Sequence, residues 1–435
     1  MDERLKFDVA VVGGGVAGVA AATTAAREGA RVCLVERYGF PGGLSVAAEV
    51  GTLCGFFSTG TGISGLAGEF PEEVLNRYRT FEPSEKELHP TGLCYVPYKP
   101  VVLERVLADL LEEAGISCLY HTTATEIDFE NNQLSLLVGN QPAVVEASSW
   151  VDASGEATLS QLGGLPVIED NEYQAPGYVF RCENVDVQSL SLEGEDSESK
   201  GLSERLASMT LLRTLMVARK KGGLIDYGGI SIVPGSVSSS ALRLKFAYPF
   251  PRSTEFNESS RLESYGRKAC FEIFNALRID CPGFEDAELG HIAAQAGFRS
   301  GIRGKGVDIL ESKEVLGAVK HPDAIANGLW PVEYWGGDIK PELEFFPADD
   351  YFQIPVGSIT SSVQENLFFA GRCLSADARA HSAARVIGTS LSTGAAAGRI
   401  AGLMAGGSSL SDSLSIHQLK EGLNVEEVGE VLNAS

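Results

Sequence analysis

Three groups of residues in this chain have types and spacings that could do chemistry. The first is Gly13-x-Gly15-x-x-Gly18, set directly after the apolar run Val9–Val12. Gly13 permits a tight turn, Gly15 lets a pyrophosphate approach the backbone, and Gly18 allows close helix–strand packing. The helix opening at Val16 and Ala17 offers unpaired N–H groups and partial positive charge to phosphates. Glu36 ends a second apolar run, Arg31–Val35, where its carboxylate can accept from both hydroxyls of a ribose, with Arg37 beside it. Strand, glycines, helix, strand and terminal acid in one compact unit make a dinucleotide site. The second group lies far away, between Asn366 and Gly398. Leu367–Ala370 reads as a buried strand turned at Gly371 and Arg372, and Val386, Gly388, Thr389 and Ser390 open a helix of small residues. That helix start could face negative charge, or the helix could simply be a packing element. The third group is Arg299, Arg303, Arg379, His381 and Arg385. These arginines could clamp a carboxylate or orient hydroxyls, and the ordinary pKa of histidine suits His381 to acid–base work.

A chain of 435 residues is long enough for two lobes to position these groups, and 44% hydrophobic with 21% charged residues is a globular composition. Thirty-five basic against 58 acidic residues give a net charge of −23, which repels nucleic acid and anionic membranes and sets both aside as general partners. The eight cysteines form no CxxC pair, so no metal site, redox dithiol or iron–sulfur cluster is expected and most read as small core residues. A reducing compartment suits them. Val9–Val12 is too short for a signal-peptide core or a membrane span, so the cytoplasm is the expected location.

Residues 44–70 read as a loop-dominated segment. An amphipathic helix follows, with Leu103, Val106, Leu107, Leu110 and Leu111 on one face, then a hairpin turning at Asn131-Asn132. Trp150–Ala153 reads as a strand ending at Ser154-Gly155. Residues 185–205 are acidic and serine-rich and read as an exposed loop or edge; "LRLKFAYPF" reads as a strand and Leu262–Leu277 as a helix. No second strand–GxGxxG–helix unit is present, so a separate NAD(P)H domain is not expected. Residues 1–165 and 351–435 are assigned to one cofactor domain and 166–350 to an inserted lobe.

The turn "YGFPGG" places Gly42-Gly43 and Leu44 just past the ribose acid. It is either a plain type II turn or the glycine pair that it resembles in the FAD-containing two-dinucleotide-binding-domain flavoproteins. Ser154-Gly155 likewise resembles the small-residue ATG-type turn of those proteins, or is an ordinary strand–helix junction. The far end is more specific. Asn366-Leu367, Ala370-Gly371-Arg372, Ser375, Ser382, Arg385-Val386 and Gly394–Gly398, with "GFRSGIRGKG", "GLWPVEYW" and "YFQIPVGSI", resemble the FAD-dependent oxidoreductase family, related in fold to succinate dehydrogenase and fumarate reductase flavoproteins. The resemblance spans nearly the whole chain, weakest across about 170–260. It implies an α/β fold with a Rossmann-like, glutathione-reductase-type βαβ FAD domain, discontinuous in sequence, and an inserted α+β substrate or cap domain. It implies FAD held by both ends of the chain and a small polar or anionic substrate exchanging a hydride with flavin N5, Trp330 and Trp335 lining the pocket.

Two departures stand out. The family's GQAAG is Gly394-Ala395-Ala396-Ala397-Gly398 here, and its Asp-x-His is Glu333-Tyr334-Trp335. The string "LHPTG" at 88–92 matches a fumarate reductase active-site string in the wrong half of the chain. An NAD(P)H-using monooxygenase or halogenase is the alternative enzyme class, although GD-A-x-H and WxWxIP strings are missing; a non-catalytic FAD-binding module is a third reading. Substrate identity, electron partner, flavin attachment and oligomeric state stay open.

Overall fold

Val9–Val12 (β1) is wholly buried because it is the middle strand of a sheet covered on both faces. In the computed structural model, which describes residues 3–190, 197–222, 226–337 and 340–407, β1 lies between Val32–Val35 (β2) and Ser149–Asp152 (β4), with Ser117–Leu119 (β3) beyond β2 and Leu367–Phe369 (β5) beyond β4. All four pairings are parallel, and the spatial order is β5-β4-β1-β2-β3. The helix Val16–Arg27 (α1) makes the first crossover. A strand some 350 positions downstream therefore completes the sheet that the N-terminus begins. The fold is α/β, as the pattern of short apolar runs implied. A three-stranded meander, Thr122–Asp128, Gln133–Val138 and Gln141–Glu146, follows the amphipathic helix Pro100–Glu113, and Asn132 takes the positive φ of its first turn.

The second lobe is an antiparallel sheet in the order Ile230–Ile232, Ala241–Ala247, Gly177–Glu183, Glu288–Ile292. Helix Glu258–Asp280 buries Leu262, Ala269, Ile273 and Leu277 at helical spacing against Tyr178, Phe180, Leu244 and Phe246. Residues 185–190 are loop and turn, as the sequence led one to expect, and 191–196 lie outside the described residues. Residues 197–205 belong to helix Ser197–Lys221 rather than a loop: Ala207, Leu211 and Leu215, four apart, are its buried stripe, and they outweigh the low mean hydropathy of the segment. Leu310, Val315, Ile325, Phe352 and Ile354 join the core around α1 rather than that of the second sheet. Glu49 ties the lobes together, accepting from Arg243 at 3.4 Å and lying 2.7 Å from His291 Nε2. The 55–66 loop is pinned by Asp349, whose Oδ1 accepts from Ser58 Oγ at 2.8 Å and from Thr61 N and Oγ1 at 2.9 Å each. Burial works against that charge, yet the three hydrogen bonds outweigh it and hold the carboxyl below its ordinary range.

The small-residue helix, Ile387–Ala405 (α2), lies directly on α1. A Cβ at Gly394 would sit 2.2 Å from the Ala17 carbonyl oxygen, at Gly398 2.1 Å from that of Ala21, and at Gly402 3.0 Å from that of Ala25. The stripe repeats every four residues on both helices, so backbone meets backbone along three turns. Neither Ala17 nor Ala21 can yield, because each obstructing atom is a main-chain oxygen. Gly394→Ala and Gly398→Ala are each expected to destabilise the protein by about 2–3 kcal/mol, whereas Gly336→Ala, with open space around its Cβ, should stay within about 0.5 kcal/mol. Chemical denaturation of the three variants measures the difference.

Candidate active site

The front loop is shaped by its glycines. Gly13 has φ +103°, donates to Val35 O at 2.8 Å, and leaves no room for a Cβ, which would lie 2.4 Å from Ala153 O. Gly18 is a packing residue: a Cβ there would strike Gly13 O. Gly15 differs, since a Cβ would meet nothing within 4 Å; the space beside it is the cleft. The N–H groups of Gly15, Val16 and Ala17 have no acceptor among the described residues, as the first turn of a helix requires. Glu36 is buried and shapes this loop, accepting from Gly14 N at 2.5 Å through Oε2 and from Tyr38 N at 2.8 Å through Oε1. Each oxygen keeps a second lone pair. The Gly42-Gly43 turn folds back onto the same loop: Gly42 donates to Gly14 O at 2.7 Å, and Gly43, at φ +52°, would place a Cβ 3.1 Å from Gly15 Cα.

The two ends of the chain are knotted behind this loop. Asp152, fully buried at the end of β4, accepts from Ser154 Oγ at 2.6 Å, Ser154 N at 3.1 Å and Leu159 N at 2.7 Å. Cys373 Sγ donates to Asp152 at 3.4 Å and accepts from Gly155 N at 3.1 Å and Ala157 N at 3.4 Å. Burial raises the pKa of both groups, that of the thiol strongly. Gly155, at φ +80°, has no Cβ because the Arg372 guanidinium occupies that place, its Nη1 donating to Phe298 O at 2.7 Å. Gly371 donates to Thr393 Oγ1 at 3.2 Å and sits against Ala17.

A single cleft of about 780 Å³ runs past these groups. Gly13, Gly15, Val16, Ala17, Glu36, Arg37, Gly42, Gly43, Leu44, Ser154, Gly155, Gly371, Arg372, Val386 and Ser390 all line it. Gly18, Gly388 and Thr389 do not; Gly388 packs on the Gly55 carbonyl, and Thr389 is buried. The cleft then opens into a chamber beneath the sheet of the second lobe, walled by Cys54, Lys245, Arg299, Trp330, Glu333, Trp335 and Arg385.

A family model described as FAD dependent oxidoreductase matches residues 8–423. The chain belongs to the FAD-dependent oxidoreductase family. No curated protein matches it. Among solved structures it is similar to a geranylgeranyl bacteriochlorophyll reductase-like protein from Thermoplasma acidophilum, at 13% identity and TM-score 0.46, covering 96% of this chain and 83% of that one. An anhydrotetracycline hydroxylase from Streptomyces rimosus gives 10% identity and TM-score 0.47 over 93% of this chain, which spans 63% of the hydroxylase. A flavin-dependent brominase gives 12% and 0.46, over 96% and 83%. Scores this low carry no functional argument.

The cofactor is FAD, and the cleft suits it. Glu36 has lone pairs for a ribose, the acceptor-free N–H groups of Gly15, Val16 and Ala17 suit a pyrophosphate, and the first turn of α2 lies at the chamber end. Of the five candidate substrate residues of this flavoprotein, Arg299 and Arg385 line the chamber. Arg299 donates to Ala175 O and lies 4.4 Å from the Trp335 ring; burial, then Arg385, pushes its guanidinium down to about 9. Burial also lowers Arg385, with Glu333 opposing. The other three are engaged elsewhere. Arg303, fully buried, makes a bidentate pair with Asp170 at 2.7 Å, and Arg379 pairs with Glu342 and Glu344 at the outer side. His381 is enclosed under Arg372, its Nε2–H donating to Arg372 O at 3.0 Å; burial and the surrounding arginines hold it neutral.

Glu333 and Lys245 have roles in the chamber that the sequence alone did not disclose. Glu333 accepts from Trp330 Nε1 at 2.8 Å and Trp335 Nε1 at 3.0 Å, fixing both indoles with one carboxylate. The "WPVEYW" spacing carried that signal. Lys245 alternates with leucines on a strand, a pattern shared with solvent-facing lysines. Two outcomes are expected. Gly15→Val should fold, since its φ is ordinary and its Cβ space open, yet purify without visible flavin absorbance, its side chain standing where the pyrophosphate must approach. Burial pushes the Cys54 thiol up to about 12, leaving about one in ten thousand as thiolate at pH 8; peptide mass spectrometry after iodoacetamide treatment at that pH should find Cys54 unmodified.

Proposed function

We propose that this FAD-dependent oxidoreductase exchanges a hydride between a small polar or anionic organic substrate and its flavin, in the chamber beneath the second sheet. The observation that carries this reading is continuity: one cleft joins the phosphate loop to a chamber lined by Arg299, Arg385 and two fixed indoles. Bound FAD supplies the two-electron step at flavin N5. The chain's own residues do the rest. The first turn of α2, at Val386, Ile387 and Ser390, brings the positive end of a 19-residue helix to the chamber, where it would stabilise negative charge. Arg299 and Arg385 would orient the substrate through charge-assisted hydrogen bonds. Trp330 and Trp335 would exclude water from one wall.

The purified protein is expected to be yellow, and anaerobic bleaching is expected from some member of a panel of hydroxy acids, amino acids and sugars. A colourless protein that takes up no FAD, or rapid bleaching by NAD(P)H alone, would sink this reading; the second result belongs to the monooxygenase class. With the bleaching substrate in hand, Arg385→Met should lower kcat/KM about 100-fold while flavin content stays at the wild-type level.

A further inference from the structure

Strand Ala241–Ala247 of the second sheet carries two cations on one side, and they meet different fates. Leu242, Leu244 and Phe246 turn into the core of that lobe, while Arg243 and Lys245 face the cofactor domain. Arg243 is neutralised there, pairing with Glu49 at 3.4 Å and donating to Tyr98 O at 3.2 Å. Lys245, one pleat further along, lines the chamber with no hydrogen-bond or ion-pair partner among the described residues. Its electrostatic neighbours are the Cys54 thiol, the Glu333 carboxylate and the Arg299 guanidinium. Three cations thus converge, Lys245, Arg299 and Arg385, on one acid, Glu333, whose two oxygens already accept from indoles. Three minus one leaves a surplus of two positive charges. Of the other charged residues along the cleft, Glu36 and Glu87 offset Arg37 and Lys340, and Arg372 adds one more positive charge. Clustered cations under a low-dielectric roof repel one another and are poorly hydrated, a cost that an anion would relieve.

We propose that Lys245, Arg299 and Arg385 form a carboxylate-binding site, so that the substrate class of this chamber is a small organic acid. The proposal rests on the reading of the chamber as the substrate site. Arg299 presents a guanidinium fork already held by the Ala175 carbonyl and the Trp335 face, which suits planar bidentate recognition. Lys245 adds a point charge from the sheet that Arg299 also packs against, and Arg385 reaches in from the cofactor domain. The site is therefore assembled across the lobes, and Lys245 is the contribution of the second sheet to specificity.

The test uses the full-length holoprotein with oxalate and acetate as probes and acetamide as the neutral match for acetate. Saturable changes in the flavin absorption band and in Tm are read without turnover. Oxalate and acetate should give both changes and acetamide neither. Lys245→Met, flavin content retained, should weaken oxalate about tenfold, and Lys245→Arg should stay within about threefold of wild type. Acetamide matching acetate, no saturable response to either acid, or an unchanged oxalate affinity in Lys245→Met would each overturn the site. If Lys245→Met does not fold, Lys245→Gln takes its place, and the wild-type comparison of acetate with acetamide decides without any variant. A wild-type protein lacking flavin would count against the proposed function; one that holds flavin yet ignores both acids counts against the carboxylate site alone.

Discussion

The contact between the α1 and α2 backbones is the constraint on which the rest depends. Gly394, Gly398 and Gly402 lie against the carbonyls of Ala17, Ala21 and Ala25, so the helix axes approach as closely as helices can. That approach fixes two helix N-termini at once. The start of α1, with its acceptor-free N–H groups, and the start of α2, at Val386 and Ile387, both line one cleft. Any side chain larger than hydrogen at the glycines would wedge the helices apart and separate the two helix starts that line one cleft. Local propensity argues against so many glycines in a helix; the packing they allow supplies the compensating contacts.

A second device holds the strands in step with the helices. The buried Asp152 carboxylate gathers Ser154, Leu159 and Cys373, tying the turn after β4 to the turn after β5. Burial favours the protonated acid, while the hydrogen bonds oppose it. Cys373 is thus more than core filler, because its sulfur accepts from the Gly155 and Ala157 backbones. His381 acts in the same spirit. Neutral and enclosed, it orients the carbonyl of Arg372, whose guanidinium passes under Gly155. Polar groups in this region serve each other, and the cleft receives the backbone they position.

Legibility in the sequence follows from how local each signal is. The front loop was readable because a strand, three glycines, a helix and an acid within one crossover have few other uses, and Glu36 lies where that logic requires. The small-residue helix was ambiguous between packing and cofactor contact; its glycine stripe packs on α1, and its first turn lines the cleft. The helix Ser197–Lys221 was obscured by an acidic, serine-rich approach that masks the stripe of Ala207, Leu211 and Leu215. For the arginines, residue type is local and partnership is not. Arg303 and Arg385 look alike in sequence; only the fold brings Asp170 to the first and leaves the second in the chamber. The same holds for Arg243 and Lys245, two residues apart on one strand, where Glu49 arrives from the other lobe for one and not for the other.

The chamber also runs against the charge of the whole molecule. A chain with net charge −23 sets up a field that repels anions at long range, yet its enclosed chamber gathers Lys245, Arg299 and Arg385. Over distances beyond about 10 Å salt screens the surface charges, whereas the chamber cations act at contact in a poorly hydrated space. Local charge therefore outweighs net charge in deciding what this cleft will hold. Holding those cations there is unfavourable chiefly because they are buried, which lowers Arg299, with Arg385 beside it, and Arg385, with Arg372 beside it; the scaffold offsets that with the Trp335 face and the Glu333 carboxylate. Glu333 answers the cations at the distance its indole partners set, without closing a salt bridge among the described residues, so the guanidinium of Arg385 and the ammonium of Lys245 stay free for a ligand. Glu333, in Glu333-Tyr334-Trp335, thus holds two aromatic walls and moderates a positive chamber.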